Sequence, residues 1–390
     1  MTKPTNLKAD WLNSSAVERV VNALGVGAIK FVGGAVRDTL AGRHVSDIDA
    51  ATIHKPETTM TLLEEADIKA IPTGLKHGTV TAVSSGVHIE ITTLRVDVET
   101  DGRHAEVAFT ESWLEDAKRR DFTINSLYCA PDGELFDPFG GVDDLKAARV
   151  RFIGNAEARI KEDALRIMRF FRFTARYGQV EPDAEGMNAC SNLRSMIGGL
   201  SIERVRDEFL KMMALQNFMQ PIRAMQRAGI LGQIYGADFD HSAIEKLSTC
   251  EERCGVTADA LARFYLLSQG VLSATEAAKK FHLSNADKNR IHSLEALRQE
   301  ARDDVSVERL LYIYSPWAVG QYFICEGSSL YTRYADVIKE WSKPVFPIQG
   351  KDLLALGFKA GPALGARMKE LEQTWIESEF KLSREELLVI

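Results

Sequence analysis

Two carboxylates, Asp47 and Asp49, flank Ile48 in the segment "SDIDAATI". In a strand, residues i and i+2 point to one face, so both can grip the same hard cation. Alone, such a pair also fits a solvated turn. Just upstream, in "FVGGAVRDTLAG", a predicted strand ends in Gly33-Gly34 and a helix begins at once. The free N–H groups and dipole of that helix start favour a phosphate, and Arg37, about one turn in, can reach the same anion. GxGxxG is absent, so this is no dinucleotide fingerprint, and a lone Gly-Gly is often only a tight turn. The combination says more: an anion-binding turn followed by a carboxylate pair supplies both halves of a Mg²⁺-nucleotide site.

Three further stretches carry chemistry. The strand "HIEITTLR" puts Glu90 on the face of His88, Thr92 and Leu94, where a third carboxylate can join a metal or help deprotonate a hydroxyl; an edge-strand glutamate fits as well. In "AKRRDFTINSLYCA", read as a helix, Arg119, Arg120, Asp121 and Asn125 form a polar patch, with Asp121 and Asn125 at i and i+4. Arg120 offers bidentate contacts to phosphate, while Asp121 and Asn125 suit the two hydroxyls of a ribose; a surface ion cluster is the plain alternative. Finally, "KEDALRIMRFFRFTARY" carries Arg166, Arg169, Arg172 and Arg176 within an arc of roughly 120°, headed by Glu162 and Asp163. Ala164, Ile167, Met168 and Phe171 face the other way, toward a core. His77-Gly78-Thr79 reads as a structural turn into a strand.

The elements that must hold these residues divide the chain. Residues 27 to 155 alternate short β-type runs ("AIKFVGG", "SDIDAATI", "TVTAVSSG", "VHIEITTLRVD", "LFDPF") with Gly, Pro and Asp punctuation, and helices fit "AVRDTLAG" and "PETTMTLLEEAD". That predicts an α+β domain with one mixed sheet. From about Glu157 a 3.6-residue period takes over and persists, predicting an all-helical remainder. The arginine helix sits just past this break, where clefts usually form. "RVDVETDGRHAEVAF" is polar and reads as a mobile loop.

Composition narrows the class. The 390 residues are 45% hydrophobic and 26% charged, with no apolar run long enough to span a bilayer and no basic-then-apolar leader, which predicts a cytoplasmic protein and no membrane partner. Five scattered cysteines suit free thiols in a reducing compartment; Cys250 and Cys254 can share a helix face, but no second ligand pair accompanies them. A net charge of −7 argues mildly against nucleic acid, yet from Arg149 to Arg176 Lys and Arg outnumber Asp and Glu eight to three. A basic groove on an acidic protein is what meets phosphates. Nothing in the sequence calls for a protein partner.

Taken in order, "GGAVRDTLAGRHVSDID", "TDGRHAEVAF", "RRDFTINSL", "LFDPFGGVDDL", "KEDALRIMRFFRF" and "SIERVRDEFLKM" resemble the CCA-adding tRNA nucleotidyltransferases, class II, of the polymerase-β-like superfamily, the bacterial and mitochondrial type. The likeness runs from about 31 to 215; beyond that, "GKDLLALGFKAGPALG" is similar to the family's C-terminal tail. The resemblance implies a nucleotidyltransferase head domain over 1–150, a helical neck for nucleotide selection and RNA binding over 151–232, and a helical tRNA-binding body and tail over 233–390. It implies addition of C, C and A to tRNA from CTP and ATP, with two Mg²⁺ ions held by Asp47 and Asp49. Gly34 and Arg37, with Gly33, would hold the triphosphate, and Arg120 and Asp121 would lie against the nucleotide and its ribose. Asp163, Arg166, Arg169 and Arg172 match the nucleotide-selecting helix; Glu90 carries over only as a supporting residue.

Hydrogen-bond inventory gives that helix a rationale. Cytosine and adenine both present an amine donor beside a ring-nitrogen acceptor, which an aspartate and an arginine complement. Uracil and guanine invert both groups, and each mismatched hydrogen bond costs roughly 1–3 kcal/mol. Asp163 with Arg166 can thus admit C and A, with Glu162 holding Arg166. Poly(A) polymerases share the motifs, but Ala164-Leu165 and the acidic balance favour CCA addition. The retained loop segment argues against a CC-adding enzyme, while an A-adding one stays open. A non-catalytic RNA-binding adaptor would be expected to lose Asp47 or Asp49. No His-Asp pair suggests a phosphohydrolase domain.

Overall fold

The computed structural model describes residues 6–100, 105–178, 181–237, 240–301 and 306–390. The chain divides into two compact units, Met1–Asp238 and Phe239–Ile390.

In the first unit the strands are β1 (Ile29–Val32), β2 (Ile48–Thr52), β3 (Lys69–Gly74), β4 (Thr79–Ser84), β5 (Val87–Thr93), β6 (Arg95–Thr100), β7 (Ala105–Phe109), β8 (Tyr128–Cys129) and β9 (Leu135–Phe136). Seven of them form one sheet in the order β3-β4-β5-β2-β1-β8-β9. β2 and β5 are parallel and the other pairs antiparallel, so the expected mixed sheet is present. The helices are α1 (Ser15–Leu24), α2 (Gly34–Leu40), α3 (Pro56–Glu65), α4 (Trp113–Lys118), α5 (Gly141–Lys146), α6 (Ala156–Glu162), α7 (Leu165–Tyr177), α8 (Ala184–Asn192), α9 (Ile202–Met213), α10 (Met219–Arg227) and α11 (Ile230–Tyr235). α1 begins where the Ser14 side chain accepts the Val17 N–H. Its Val17, Val20, Val21 and Leu24 fall on one face and pack with Leu63 of α3 and with Phe31, Val80 and Ile91 of the sheet.

Register positions the chemistry. β1 runs antiparallel to β2 with Phe31 opposite Ala50, which brings the Gly33-Gly34 turn beside the start of β2, where Asp47 and Asp49 lie. β5 runs parallel to β2 with Glu90 opposite Asp49.

Two local expectations are corrected. "VHIEITTLRVD" is not one strand: Leu94 is fully buried at a break, and β6 then pairs with β7 in a separate two-stranded sheet. The segment expected as a loop is therefore a β-hairpin on both flanks, Arg95 pairing with Phe109 and Thr100 with Ala105. Its tip, 101–104, lies outside the described residues. The second correction concerns the arginine helix, which starts only at Leu165. Asp163 is extended (φ −149°, ψ 106°) and separates α6 from α7.

Aromatic packing holds α7 in place. Phe170 stacks on Phe152 at 5.5 Å, Phe152 meets Phe122 at 4.9 Å, and Phe122 meets Phe173 at 5.4 Å. This cluster fixes the arginine helix against the "RRDF" segment through large apolar faces.

The second unit is helical throughout its described residues, from Ser242–Cys254 to Arg384–Val389. One of its cores centres on Trp375, with Tyr312, Phe346 and Phe380 at 5.7, 5.4 and 5.0 Å. Gly361 precedes the helix Pro362–Glu377 in the tail-like segment.

Candidate active site

A cavity of ≈ 580 Å³ in the first unit gathers residues from well-separated stretches of the sequence. Gly33, Gly34 and Arg37 come from the end of β1 and the start of α2, and Asp49 from the central strand β2. Arg120, Asp121 and Asn125 come from the segment after α4, and Asp163, Arg166 and Arg169 from the α6–α7 junction. Gly33 has φ +66°, which favours glycine, and a Cβ there would lie 3.6 Å from Arg120 Nη1. A Cβ on Gly34 would lie 3.6 Å from Asp49 Oδ2. A smaller cavity of ≈ 180 Å³ continues past Asp49, sharing Gly34 and Arg37 and adding Asp47, Arg172 and Arg176. The arginine stripe is thus divided between two hollows.

The polar patch forms, though not for the helical reason. α4 stops at Lys118 and Thr123–Asn125 is a single 3₁₀ turn, so Asp121 and Asn125 do not share a helix face. They meet directly, Asn125 Nδ2 donating to Asp121 Oδ1 at 2.9 Å. Asn125 Oδ1 accepts from Arg37 Nη1, and Asp121 Oδ2 accepts from Arg169 Nε at 2.7 Å. Burial pushes the Asp121 carboxyl up, but the Arg169 charge and hydrogen bonds from Asn125, Arg169 and the Phe122 N–H outweigh it, holding the pKa below the usual carboxylate range. Arg120 is fixed by Asp116, a fully buried carboxylate that also takes Arg119 and the Tyr128 hydroxyl, the last at 2.6 Å.

Glu162 and Asp163 do head the arginines, each with a different partner. Glu162 Oε2 accepts from Arg166 Nη1 at 2.6 Å and also from Arg159 Nη1. Arg166 is further held by the carbonyls of Arg159 (2.8 Å) and Arg119 (3.1 Å) and is largely buried. Asp163 caps the new helix through the Leu165 N–H (3.0 Å) and pairs with Arg204 of α9 at 3.1 Å. Arg172 bonds Glu208 of α9, and Arg176 bonds Asp38 at 3.0 Å.

The carboxylates sit close to both signs of charge. Burial, then Glu90, raises the Asp49 pKa, with a further push from Asp47; Arg120 and Arg37 oppose it. Asp47 is exposed and accepts from Ser46 Oγ at 2.7 Å. Among the described residues no group of three His, Cys, Asp or Glu side chains is gathered as a metal cage. Glu90, opposite Asp49 on β5, acts on it as a neighbouring negative charge. All five cysteines are free, Cys250 and Cys254 included.

Residues 29–151 match the family model described as the poly A polymerase head domain. The mitochondrial CCA tRNA nucleotidyltransferase 1 of Danio rerio is 34% identical over 380 residues, covering 92% of this chain and 86% of the relative. The chain belongs to the CCA-adding tRNA nucleotidyltransferases. The CCA-adding enzyme of Lactobacillus gasseri is 41% identical over 213 residues, 54% of this chain and 52% of that one. In fold, the chain resembles the Bacillus stearothermophilus CCA-adding enzyme crystallised in complex with CTP, with a TM-score of 0.80 at 24% identity over 96% of each chain. The Thermotoga maritima CCA-adding enzyme complexed with tRNA aligns at a TM-score of 0.68 and 19% identity, covering 100% of this chain and 98% of that one.

As a CCA-adding nucleotidyltransferase the protein is an enzyme, and side chains that sequence reasoning passed over line its cavity or hold the residues that do. Arg204 is the partner of Asp163, and Glu208 that of Arg172, both from "SIERVRDEFLKM", a segment noticed for its likeness but not read residue by residue. Phe173 lines the large cavity with the guanidiniums of Arg37, Arg169 and Arg172 over its ring at 5.2, 5.3 and 4.4 Å. Asp116 and Tyr128 carried no separate signal, because their role lies in the side chains they orient.

Proposed function

We propose that this protein adds C, C and A to tRNA 3′ ends from CTP and ATP, by attack of the terminal 3′-hydroxyl on the α-phosphorus with release of pyrophosphate. The observation that carries the reading is the continuity of the site. One cavity runs from the Asp163–Arg166 pair to Asp49, in a chain matching a CCA tRNA nucleotidyltransferase over most of its length.

Arg37 and the turn at Gly33-Gly34 would receive the triphosphate, with Asn125 and Asp38 orienting the guanidinium through Nη1 and Nε. Arg120, held by Asp116 and Tyr128, would meet the nucleotide from the sheet side. Asp163 Oδ2 keeps lone-pair capacity beside its Arg204 partner, and Arg166 keeps N–H donors beyond its three acceptors, so amine and ring nitrogen can be read together. Asp47 and Asp49 fit Mg²⁺: it is commonly held by one or two carboxylates plus substrate phosphates, and the like charge crowded around Asp49 favours a cation. Bound there, Mg²⁺ ions would supply Lewis-acid stabilisation of the attacking and leaving oxygens. A cytoplasmic location belongs to the same proposal, supported by five free cysteines and by the lack, among the described residues, of a helix long and apolar enough to cross a membrane.

The test incubates the protein with tRNAs ending at the discriminator base, at C and at CC, offering one labelled nucleotide at a time. C should enter the first two and A the third. Incorporation of UTP or GTP, or long A tails on any RNA, would overturn the assignment; A on the CC-ended tRNA alone would mark an A-adding enzyme.

A further inference from the structure

Past Arg176 lies a third hollow, of ≈ 260 Å³, which the transfer chemistry leaves unused. Arg43, Lys146, Arg176 and Asn217 supply its polar lining, with Leu145 and Tyr177, and no carboxylate lines it. Arg43 and Lys146 are exposed. Arg43 donates to the Arg176 carbonyl at 2.8 Å and sits 5.3 Å over the Tyr177 ring, which fixes its direction without neutralising it. Neither Arg43 nor Lys146 forms an ion pair among the described residues. Most other arginines of this region are paired to acids, as Arg166, Arg169, Arg172 and Arg176 are. Two cations aimed at an acid-free hollow are what a phosphate ligand requires.

The order of the hollows says which phosphate. The nucleotide cavity shares Asp49 with the small carboxylate hollow, and that hollow shares Arg176 with this third one. In a displacement at phosphorus the attacking and leaving oxygens lie on opposite sides. With the incoming triphosphate at Gly34 and Arg37, the attacking strand belongs beyond Asp47, and its preceding phosphodiester further along the same line. We propose that the Arg43–Lys146–Arg176 hollow is a subsite for a phosphodiester of the tRNA 3′ strand, next to the terminal nucleotide. The proposal rests on the nucleotidyl-transfer reading above and extends it to two residues outside the nucleotide cavity.

Primer binding and nucleotide binding should separate. Arg43→Ala/Lys146→Ala should raise the KM for tRNA about tenfold and lower its salt slope by about one to two, with the KM for CTP within about twofold of wild type. A tRNA with a methylphosphonate at its last internucleotide linkage should cost the wild-type protein about tenfold, and the double variant under about threefold. Lys146→Ala alone, at an exposed position, provides a milder variant, and CTP binding reports that each protein is folded. A methylphosphonate penalty that persists in full in the double variant, or is absent from the wild type, would overturn the subsite. So would a weakened inhibition by pyrophosphate with unchanged tRNA KM, which would give the hollow to the leaving group instead. Failure of the wild-type protein to add C to unmodified tRNA would refute the parent reading, a result distinct from any of these.

Discussion

Glu162→Gln isolates what keeps Arg166 in place. One oxygen, Glu162 Oε2, accepts from both Arg159 and Arg166, so two guanidiniums flank it and face each other. Burial first, and the Arg166 charge after it, lower the Arg159 pKa, so the like-charge approach adds to the cost of burying this guanidinium. Two donors on one acceptor stand about 4–5 Å apart, a repulsion of about 3–4 kcal/mol at an effective dielectric near 20. Glu162 is 35% exposed on its side chain, so water screens part of this. The amide variant should therefore lose about 2 kcal/mol of stability. Arg166 keeps its bonds to the Arg159 and Arg119 carbonyls, so it should tilt and not leave the cavity. A tilt worth about 1.4–2 kcal/mol lowers kcat/KM for CTP about 10–30-fold. The decisive measurement is a cycle with Arg159→Met, by urea unfolding and single-turnover C addition. Removing one cation relieves the repulsion, so the double variant should be less impaired than the sum of the singles by at least about 1 kcal/mol. Additivity within about 0.5 kcal/mol would refute the shared-acceptor account.

Three more outcomes follow from the same geometry. The raised Asp49 pKa gives stability that is full below the unfolded value near 3.8 and is lost as pH rises through the folded value, so metal-free Asp49→Asn should melt a few degrees above wild type at pH 7 and alongside it below about pH 4; equal melting at pH 7 would contradict this. Asp121 is held low, so its contribution is present above the unfolded carboxylate range and lost as pH falls through the folded value. Asp121→Asn should be less stable at pH 7 by about 2–4 kcal/mol, the gap closing in acid, and a gap independent of pH would rule the ion pair out as its source. Asp163→Ala should lower the preference for CTP over UTP about tenfold or more while changing triphosphate affinity far less; intact C and A selectivity would remove Asp163 from base reading.

What could be read in advance followed local signals. β1, β2, β4 and the first stretch of β5 are short apolar runs with clear punctuation, and Gly33-Gly34 and Asp47/Asp49 sit at their ends. β3 was missed because Pro72 lies inside it, which is tolerable only on an edge strand, and β3 is an edge. The break at Asp163 is invisible to periodicity, since "KEDALR" keeps helical spacing across it; the carboxylate capping the Leu165 N–H is what ends one helix and starts the next. Arg204, Glu208 and Asp116 escaped for a different reason. Each acts on a residue far away in sequence or already assigned, and only the packing of α7 on α9 or the fold around Tyr128 reveals the pairing.

The division of α7 between hollows makes the helix a gauge. On the reading proposed above, Arg166 would serve the base end and Arg176 the strand end; they lie ten residues apart along one rod, or ~15 Å at the α-helical rise. Residues at either end can be exchanged during evolution without altering that spacing. One residue inserted between them would add only ~1.5 Å but turn the far arginine by ~100°, off its hollow entirely. Length between the two ends is therefore more tightly constrained than composition, and drift in this enzyme should spare α7 from insertion even where its sequence is free to vary.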